Sequence, residues 1–231
     1  MSTFRQSIKT VLVLAICLPL LVSCASSTTA SIPVGCEQAS SPCLQGQATV
    51  ELTTSKGTIT LELDGDAAPV TAGNFLDLVK RGAYNGTVFH RVVREPVPFV
   101  VQGGDPASSD PATPKAQYGS GSFVDPATGQ ARFVPLELSF KGEDQPRYGR
   151  VVSNPTELLQ LKLSHERGAL AMARSQAPDS ASAQFYIALK PLPELDGRYA
   201  VFGRVTEGLE VVDAIRQNDT IQKATVLTPG L

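Results

Sequence analysis

The side chains that could act as acids, bases, nucleophiles or metal ligands are few in this sequence. Its 231 residues include two histidines, His90 and His165, and four cysteines. A hydrolytic triad needs a nucleophile activated by a base, and the absence of a Gly-x-Ser-x-Gly string disfavours that chemistry. A zinc site needs four ligands, and both histidines lie far along the chain from Cys36 and Cys43. We therefore expect neither a metal nor a cofactor.

Other polar side chains lie within short, apolar, β-rich strings. The strings are FHRVV at 89–93, FVVQGGDP at 99–106, GALAMAR at 168–174, and QFYI at 184–187 leading into LDGRYAVFG at 195–203. Arg91 carries a planar guanidinium that stays protonated, and Gln102 carries an amide that can hold it in one orientation. Taken singly, each would more often be an ordinary strand residue at the surface. Only their combination indicates a functional site.

In this order the strings resemble the cyclophilin family of peptidyl-prolyl cis/trans isomerases, from about residue 48 to residue 226. The resemblance implies a mainly β fold, a closed eight-stranded antiparallel barrel capped by two helices, with a proline-binding groove on its outer surface. It also implies that Arg91 is the catalytic arginine and that Gln102 positions the substrate backbone. The residues implied to bind substrate line a proline pocket or flank the peptide: Phe99, Val100, Tyr186, Leu195, Ala173, Arg174, Gln184 and Tyr199.

Several side chains differ from the commonest family pattern. Tyr186 stands where phenylalanine is commoner, so its hydroxyl needs a partner or water. Tyr199 replaces a usual histidine, and Glu194 replaces a tryptophan found at the groove rim in many members. We assign His90 a structural role and place His165 in a loop or at a strand edge. The aromatic residues assigned to the core are Phe89, Phe185 and Phe202.

The chemistry that these residues suit is rotation about the bond that precedes proline. Partial double-bond character gives that bond a barrier of about 18 to 20 kcal/mol, and no covalent bond has to break. A fixed guanidinium would stabilise the lone pair that appears on the nitrogen of the twisted amide, while an apolar pocket holds the prolyl ring. Two alternatives stay open: a non-catalytic chaperone module that grips proline-containing segments, and a structural envelope lipoprotein.

The elements that must position these residues follow from apolar periodicity. Residues 48–54 and 58–63 alternate apolar and polar side chains, which predicts a hairpin. Helical spacing predicts one amphipathic helix from Pro69 to Gly82 and a second over 209–215. The other predicted strands are 88–93, 99–102, 169–173, 184–188, 199–205 and 224–228. The long stretches 105–132 and 141–163 are predicted as loops, with a short helix favoured within 155–163.

The N-terminal part has a different character. Residues 1–23 combine two basic residues with an apolar run too short for a comfortable membrane span, and the run ends in Leu-Val-Ser-Cys at 21–24. This resembles a bacterial lipoprotein signal peptide with lipidation at Cys24, and an ordinary signal peptide with a chance cysteine stays open. Residues 24–47 are predicted as a flexible tether and 48–231 as the cyclophilin-like domain. In an oxidising compartment, Cys36 and Cys43 are expected to form a disulfide.

The charge distribution narrows the range of partners. Removing residues 1–23 takes away two of the 20 basic residues and none of the 22 acidic ones, so the net charge changes from −2 to −4. The remaining basic residues are dispersed along the chain, which disfavours nucleic acid. We expect a monomer that acts on proline-containing polypeptides outside the cytoplasm, held at a cell membrane or envelope by its N-terminal lipid.

Overall fold

The computed structural model describes residues 35–37 and 39–229, together with Met1. Apart from Met1, the predicted signal peptide 1–23 lies outside the described residues, as do the predicted lipidation site Cys24 and much of the predicted tether 24–47. Within the described part of the chain, no helix combines the length and the apolar character that crossing a membrane requires.

The described residues form ten strands, three α-helices and three short 3₁₀-helices. The strands are β1 Gln47–Thr54, β2 Gly57–Asp64, β3 Arg91–Val92, β4 Val100–Gly103, β5 Glu137–Leu138, β6 Arg147–Tyr148, β7 Ala169–Met172, β8 Phe185–Ala188, β9 Val201–Glu207 and β10 Ile221–Thr228. The helices are α1 Pro69–Lys80, α2 Pro155–Leu158 and α3 Leu209–Ala214.

Eight of the described strands form one antiparallel sheet in the order β10-β1-β2-β9-β7-β8-β4-β3. Its two edges meet where the chain before β3 approaches the start of β10. There the Phe89 N–H donates to the Asp219 carbonyl and the Ile221 N–H donates to the Thr87 carbonyl, both at 2.8 Å. The predicted mainly β, eight-stranded antiparallel fold is confirmed. Its closing seam consists of a few such bonds rather than a long ladder.

Alternation of apolar and polar residues accounts for the first hairpin. Successive residues of β1 point alternately inward and outward, so Val50 and Leu52 are fully buried while their neighbours are half-buried. The same pattern in β2 buries Ile59 and Leu61. The turn is fixed locally, because the Thr54 hydroxyl donates to the carbonyl of the residue that begins β2 at 2.7 Å.

Helix α1 packs its buried face against the main hydrophobic core of the sheet. It begins at a proline, whose missing N–H costs nothing in the first turn, and Gly82 follows its end with φ of +70°. Phe75 lies on its buried face, with its ring centroid 4.9 Å from that of Tyr84, 5.3 Å from that of Phe185 and 5.2 Å from that of Phe202. Phe89, Phe185 and Phe202 are fully buried, as predicted.

The N-terminus of α1 is capped by a residue from a distant strand. Its N-cap residue, Ala68, offers no side-chain acceptor. The Glu137 carboxylate of β5 accepts the Val70 N–H at 3.2 Å and the Thr71 N–H at 2.8 Å instead. These groups are free donors in any helix and favour negative charge. Burial raises the pKa of Glu137, and the Thr71 and Val70 donors oppose that rise.

The long stretches predicted as loops contain more structure than expected. Residues 141–163 include β6 and α2, and α2 starts where a short helix was favoured, with Asn154 accepting the Thr156 N–H at 2.9 Å. The β5–β6 pair was not predicted, because strands of two residues show no periodicity. The lobe formed by β5, β6 and α2 has its own small hydrophobic cluster, to which Ala200 also belongs. The cluster consists of Leu136, Leu138, Phe140, Val152, Leu161 and Ala200.

Packed residues begin earlier than residue 48, where the sequence analysis placed the start of the domain. Leu44 is 2% exposed, and its N–H donates to the Pro69 carbonyl at 3.0 Å. A Cβ on Gly73 of α1 would lie 2.1 Å from the Pro42 carbonyl oxygen, so only glycine allows the chain to lie this close. Cys36 and Cys43 form a disulfide with a Cα–Cα distance of 5.7 Å. The polar composition of residues 24–47 gives no sign that residues 42–44 pack against α1, so the sequence analysis did not predict this packing.

Glu137→Gln tests the buried cap through the pH dependence of stability. Because the pKa of Glu137 is raised in the folded state, that state binds its proton more tightly than the unfolded chain does. The resulting stabilisation is present below the ordinary carboxyl pKa of about 4.3 and is lost as the pH rises through the raised folded value. Glutamine does not titrate. We therefore expect the free energy of unfolding of the wild type to fall relative to that of Glu137→Gln over this interval.

Urea denaturation between about pH 4 and pH 8 measures the difference. Glu210→Gln is the matched control, because Glu210 is exposed on α3. Its curve should run parallel to that of the wild type. A parallel curve for Glu137→Gln as well would contradict the raised pKa.

Candidate active site

The site lies on the outer face of the sheet, where β3, β4, β7 and β8 are neighbours. Side chains alternate between the two faces of each strand. On β4, Val101 enters the interior core while Val100 joins an outer apolar cluster. On β8, Phe185 enters the interior while Tyr186 joins the outer cluster. Gln102 pairs in register with Arg91 on one side and with Tyr186 on the other.

Nine of the ten residues predicted for catalysis and substrate binding line one cavity of about 220 Å³. They are Arg91, Phe99, Val100, Gln102, Ala173, Arg174, Tyr186, Leu195 and Tyr199. The tenth, Gln184, lines a neighbouring cavity of about 380 Å³ together with Gln102, Ala173 and Arg174. The structure therefore brings the predicted residues together, although they come from separate strings in the sequence.

Arg91 is held at the mouth of this cavity by neutral groups. Its Nη1 donates to Gln102 Oε1 at 3.4 Å, and its guanidinium carbon lies 5.7 Å from the centroid of the Phe99 ring. Gln102 is fixed in turn, because its Nε2 donates to Gln184 Oε1 at 3.2 Å. This row of hydrogen bonds orients a charged donor without placing a carboxylate beside it.

A buried aspartate organises the segment beside Gln184. Asp105 accepts the N–H groups of Ala107 at 2.9 Å, Gly119 at 2.6 Å and Gly121 at 3.2 Å. The carbonyls of Gly119 and Gly121 accept Nε2 of Gln184 at 3.0 and 2.8 Å. The sequence marked Asp105 only as part of a turn signal. Its role depends on residues 14 and 16 positions away, which short-range patterns do not reveal.

His90 packs beneath the same segment. A Cβ on Gly119 would lie 3.0 Å from its Cδ2 atom, so the ring and the glycine are in close contact. Burial lowers the pKa of His90, and the charge of Asp105 opposes this effect. These contacts fit the structural role assigned to His90.

His165 supports the floor of the 220 Å³ cavity. It lies in the loop before β7, as predicted, but the sequence analysis gave it no part in the site. It is 2% exposed. Its Nε2 lies 2.8 Å from the Tyr186 hydroxyl and its Nδ1 lies 2.7 Å from Asp196 Oδ1. Burial raises the pKa of Tyr186, so the hydroxyl keeps its proton. The carboxylate of Asp196 can only accept, so Nδ1 carries a hydrogen, and in the neutral ring Nε2 accepts the hydroxyl hydrogen of Tyr186.

Tyr199 and Arg174 form the opposite wall. The guanidinium carbon of Arg174 lies 4.7 Å from the centroid of the Tyr199 ring, and that ring meets Tyr186 edge to face at 5.8 Å. Arg174 Nε and Nη2 donate to the Arg198 carbonyl at 2.9 and 2.6 Å, and Nη1 donates to the Ser175 carbonyl at 2.8 Å. Within residues 35–37 and 39–229, no group of three or more His, Cys, Asp or Glu side chains is arranged to hold a metal.

The fold and this outer-face site define an antiparallel barrel protein of the cyclophilin kind, and comparison with known proteins agrees. The family profile described as cyclophilin type peptidyl-prolyl cis-trans isomerase/CLD matches residues 49–229. The chain belongs to this family. A crystal structure of a cyclophilin type peptidyl-prolyl cis-trans isomerase from Cryptosporidium parvum superposes with a TM-score of 0.57 at 23% identity, covering 79% of this chain and 98% of that one.

Curated relatives extend the comparison to other organisms. A protein named as a thylakoid lumen peptidyl-prolyl cis-trans isomerase in Synechocystis is 40% identical over 202 residues, covering 83% of this chain and 50% of that protein. A chloroplastic peptidyl-prolyl cis-trans isomerase of Arabidopsis thaliana is 37% identical, covering 81% and 44%. The chain thus spans about half the length of these two relatives. A peptidyl-prolyl cis-trans isomerase of Helicobacter pylori is 36% identical, covering 77% and 86%.

Tyr186→Phe tests the hydrogen bond behind the cavity floor. The change keeps the ring and removes the donor, which leaves His165 Nε2 buried without its partner. We expect the free energy of unfolding to fall by about 1 to 3 kcal/mol, the usual cost of an unsatisfied buried polar group. Chemical denaturation measures this loss. In ¹⁵N-histidine spectra, the Nε2 signal of His165 should move.

Tyr199→Phe is the control within the same cavity. It removes a hydroxyl for which no hydrogen bond is found among the described residues, and it keeps an aromatic ring against Tyr186. Its stability should stay within about 0.5 kcal/mol of the wild type. Equal losses for the two variants would show that the bond to His165 contributes nothing.

Proposed function

We propose that this protein is a peptidyl-prolyl cis/trans isomerase that acts on proline-containing polypeptides outside the cytoplasm and assists their folding. One observation carries the proposal: a guanidinium held by neutral partners and an apolar, aromatic-lined pocket open onto the same 220 Å³ cavity. Each half of that arrangement suits one requirement of rotation about an X-Pro bond.

The apolar half of the cavity suits the prolyl ring. Phe99, Val100 and Leu195 offer aliphatic and aromatic surface, and Tyr186 provides a floor fixed from behind. A pocket of this kind holds the ring by burying its methylene groups. The segment before the proline can then turn relative to the clamped ring.

The charged half suits the twisted state of the bond. As the amide leaves planarity, its nitrogen becomes pyramidal and regains a lone pair. A donor aimed at that lone pair interacts with the twisted state more strongly than with either planar isomer, which is the differential binding that catalysis requires. Arg91 is suited to this role, because Gln102 limits the orientation of its guanidinium.

The energy required is within reach of these interactions. Raising a rate of about 0.01 per second to about 1,000 per second is a factor of about 10⁵, or about 7 kcal/mol of barrier. One aimed charged donor can supply about 3 to 4 kcal/mol of this in a site that excludes water. Clamping the ring and removing water from the amide would supply the remainder.

The same cavity could also serve a chaperone module that only binds proline-containing segments. Binding alone would need the apolar pocket but not an oriented donor. The row of hydrogen bonds from Arg91 through Gln102 to Gln184 favours the enzyme, because it orients a charge beyond what gripping a ring requires.

Arg91→Ala is expected to lower the isomerisation rate constant by about 10²- to 10³-fold and to leave the affinity for a proline peptide largely intact. The reason is that its donor meets a lone pair that exists only in the twisted state. Arg91→Lys should recover little, because an ammonium group on a flexible stem lacks the planar fork. A protease-coupled proline-peptide assay measures the rate, and peptide titration measures the affinity.

Arg204→Ala is the control for loss of an arginine. Arg204 is exposed on β9, where it pairs with Glu62 at 2.8 Å. This variant should retain the wild-type rate. A folded Arg91→Ala protein within a few-fold of wild-type activity would contradict the catalytic role and favour the binding module.

We further propose that the protein is a lipoprotein anchored outside the cytoplasm through Cys24. The support is the Leu-Val-Ser-Cys sequence after a short apolar run. Pairing of Cys36 with Cys43 also fits an oxidising compartment. The thylakoid lumen and chloroplastic names of two relatives are in keeping with a site outside the cytoplasm. Two or more acyl chains hold a protein at a membrane far better than one chain does.

Cys24→Ala should release the protein from the membrane fraction and remove the acyl mass from its N-terminal peptide. Cys17→Ala is the matched control, because Cys17 lies within the predicted signal peptide and would be removed with it. Fractionation of the producing cells and mass spectrometry give both readouts. Firm membrane binding of Cys24→Ala would overturn the proposed anchor.

A further inference from the structure

Three concavities adjoin one another around Arg174. The proline cavity of about 220 Å³ and the neighbouring cavity of about 380 Å³ share Gln102, Ala173 and Arg174. A third, shallow cleft of about 510 Å³ shares Arg174 and Tyr199 with the proline cavity. A peptide seated at the proline cavity would therefore pass over one or both flanking concavities with the residues that precede or follow its proline.

The charge of these three concavities has one sign. Their linings contain three arginines, Arg91, Arg174 and Arg198, and not one aspartate or glutamate. Across the described part of the chain, none of the three has a carboxylate oxygen within 4.0 Å. The chain as a whole has a net charge of −2, so this local excess of positive charge is not a property of its general composition.

Arg174 and Arg198 differ in how firmly other residues hold their guanidinium groups. Arg174 is fixed, because its donors are bound by the carbonyls of Arg198, Ser175 and Gln176 and its guanidinium lies over the Tyr199 ring. Carbonyl partners satisfy its N–H groups without cancelling its charge. Arg198 is exposed, and its guanidinium makes no hydrogen bond to any described residue. Its charge and all its donors are available to a ligand.

The flanking 380 Å³ cavity is lined by neutral polar side chains, and three of its serine hydroxyls already donate within the protein. Its lining includes the hydroxyl-bearing residues Ser120, Ser122, Ser175, Ser180 and Ser182. Four carboxylates lie near these concavities but outside all three linings. Asp105 is buried and accepts the Gly119 and Gly121 N–H groups, and Asp179 accepts the Leu136 N–H. Asp196 is engaged with His165, and Glu194 is exposed. Concavities lined by one sign of charge concentrate ligands of the opposite sign.

We infer that this groove selects proline-containing segments that carry an aspartate or glutamate close to the proline, with Arg174 and Arg198 as the specificity-determining residues. This inference rests on the proposed isomerase function, and it names the substrate class. Carboxylate and guanidinium form charge-assisted hydrogen bonds, for which Arg198 offers an unused planar fork. A basic residue at the same position would meet like charge and bind more weakly.

The test compares acetylated, amidated peptides of one length with Ala-Pro at the centre. Glutamate, glutamine or lysine stands two residues before the proline in one series and two residues after it in another. In at least one series, we expect the glutamate peptide to bind about two- to fivefold more tightly than the glutamine peptide, and the lysine peptide to bind more weakly. The preference should shrink as the ionic strength rises from about 0.02 M to about 0.3 M, because salt screens exposed charges.

Arg198→Gln should lower the glutamate-to-glutamine affinity ratio and leave only the contribution of Arg174. Lys223→Gln is the control for net charge, because Lys223 is exposed on β10, away from these concavities. It should leave the ratio at the wild-type value. Equal affinities for glutamate and glutamine peptides in both series would overturn the inference, and so would an equal loss of preference in Lys223→Gln.

A separate measurement distinguishes failure of the substrate preference from failure of the proposed isomerase function. Isomerisation of the glutamine peptide by the wild-type protein tests the enzyme without any contribution from the acidic residue. If that peptide is isomerised and no preference for glutamate is found, only the substrate class is wrong. If it is neither bound nor isomerised, the isomerase proposal itself fails.

Discussion

The site depends on the register between β3, β4 and β8. In this register Arg91 lies opposite Gln102, and Gln102 lies opposite Tyr186. The intervening residues Val101 and Phe185 enter the core, and both are fully buried. A slip of one residue would turn the core side chains outward and the site side chains inward. The free energy of burying the core therefore also holds the site in place.

This coupling explains why much of the site could be predicted from the sequence. Strands with period-two alternation reveal which residues share a face, and the family resemblance identified which face carries the groove. The contacts that hold the site from behind could not be predicted in this way. His165 reaches Tyr186 across 21 residues, and Gln184 reaches Gly121 across 63. Such pairs depend on how loops fold back over the sheet, which neither propensity nor periodicity encodes.

The segment predicted as a long loop supports the wall of the proline cavity. The Val152 N–H donates to the Gly197 carbonyl at 2.9 Å. A Cβ on Gly197 would lie 2.3 Å from the Val152 carbonyl oxygen and 2.6 Å from the Leu158 side chain, so the glycine allows close contact between the two segments. Gly197 lies between Leu195 and Tyr199, both of which line the cavity. The lobe formed by β5, β6 and α2 thus supports the segment that carries Leu195 and Tyr199.

The two arginines Arg91 and Arg174 of the groove bind different acceptors from those of Arg132 and Arg204 elsewhere in the fold. Arg132 and Arg204 pair with carboxylates at 2.7 and 2.8 Å and tie distant elements together. Arg91 and Arg174 bind an amide oxygen and backbone carbonyls instead. A carboxylate would satisfy the same N–H groups, but it would also cancel the positive potential that a lone pair or an acidic peptide needs to meet. Neutral acceptors orient these two guanidinium groups and leave their positive charge uncompensated at the groove.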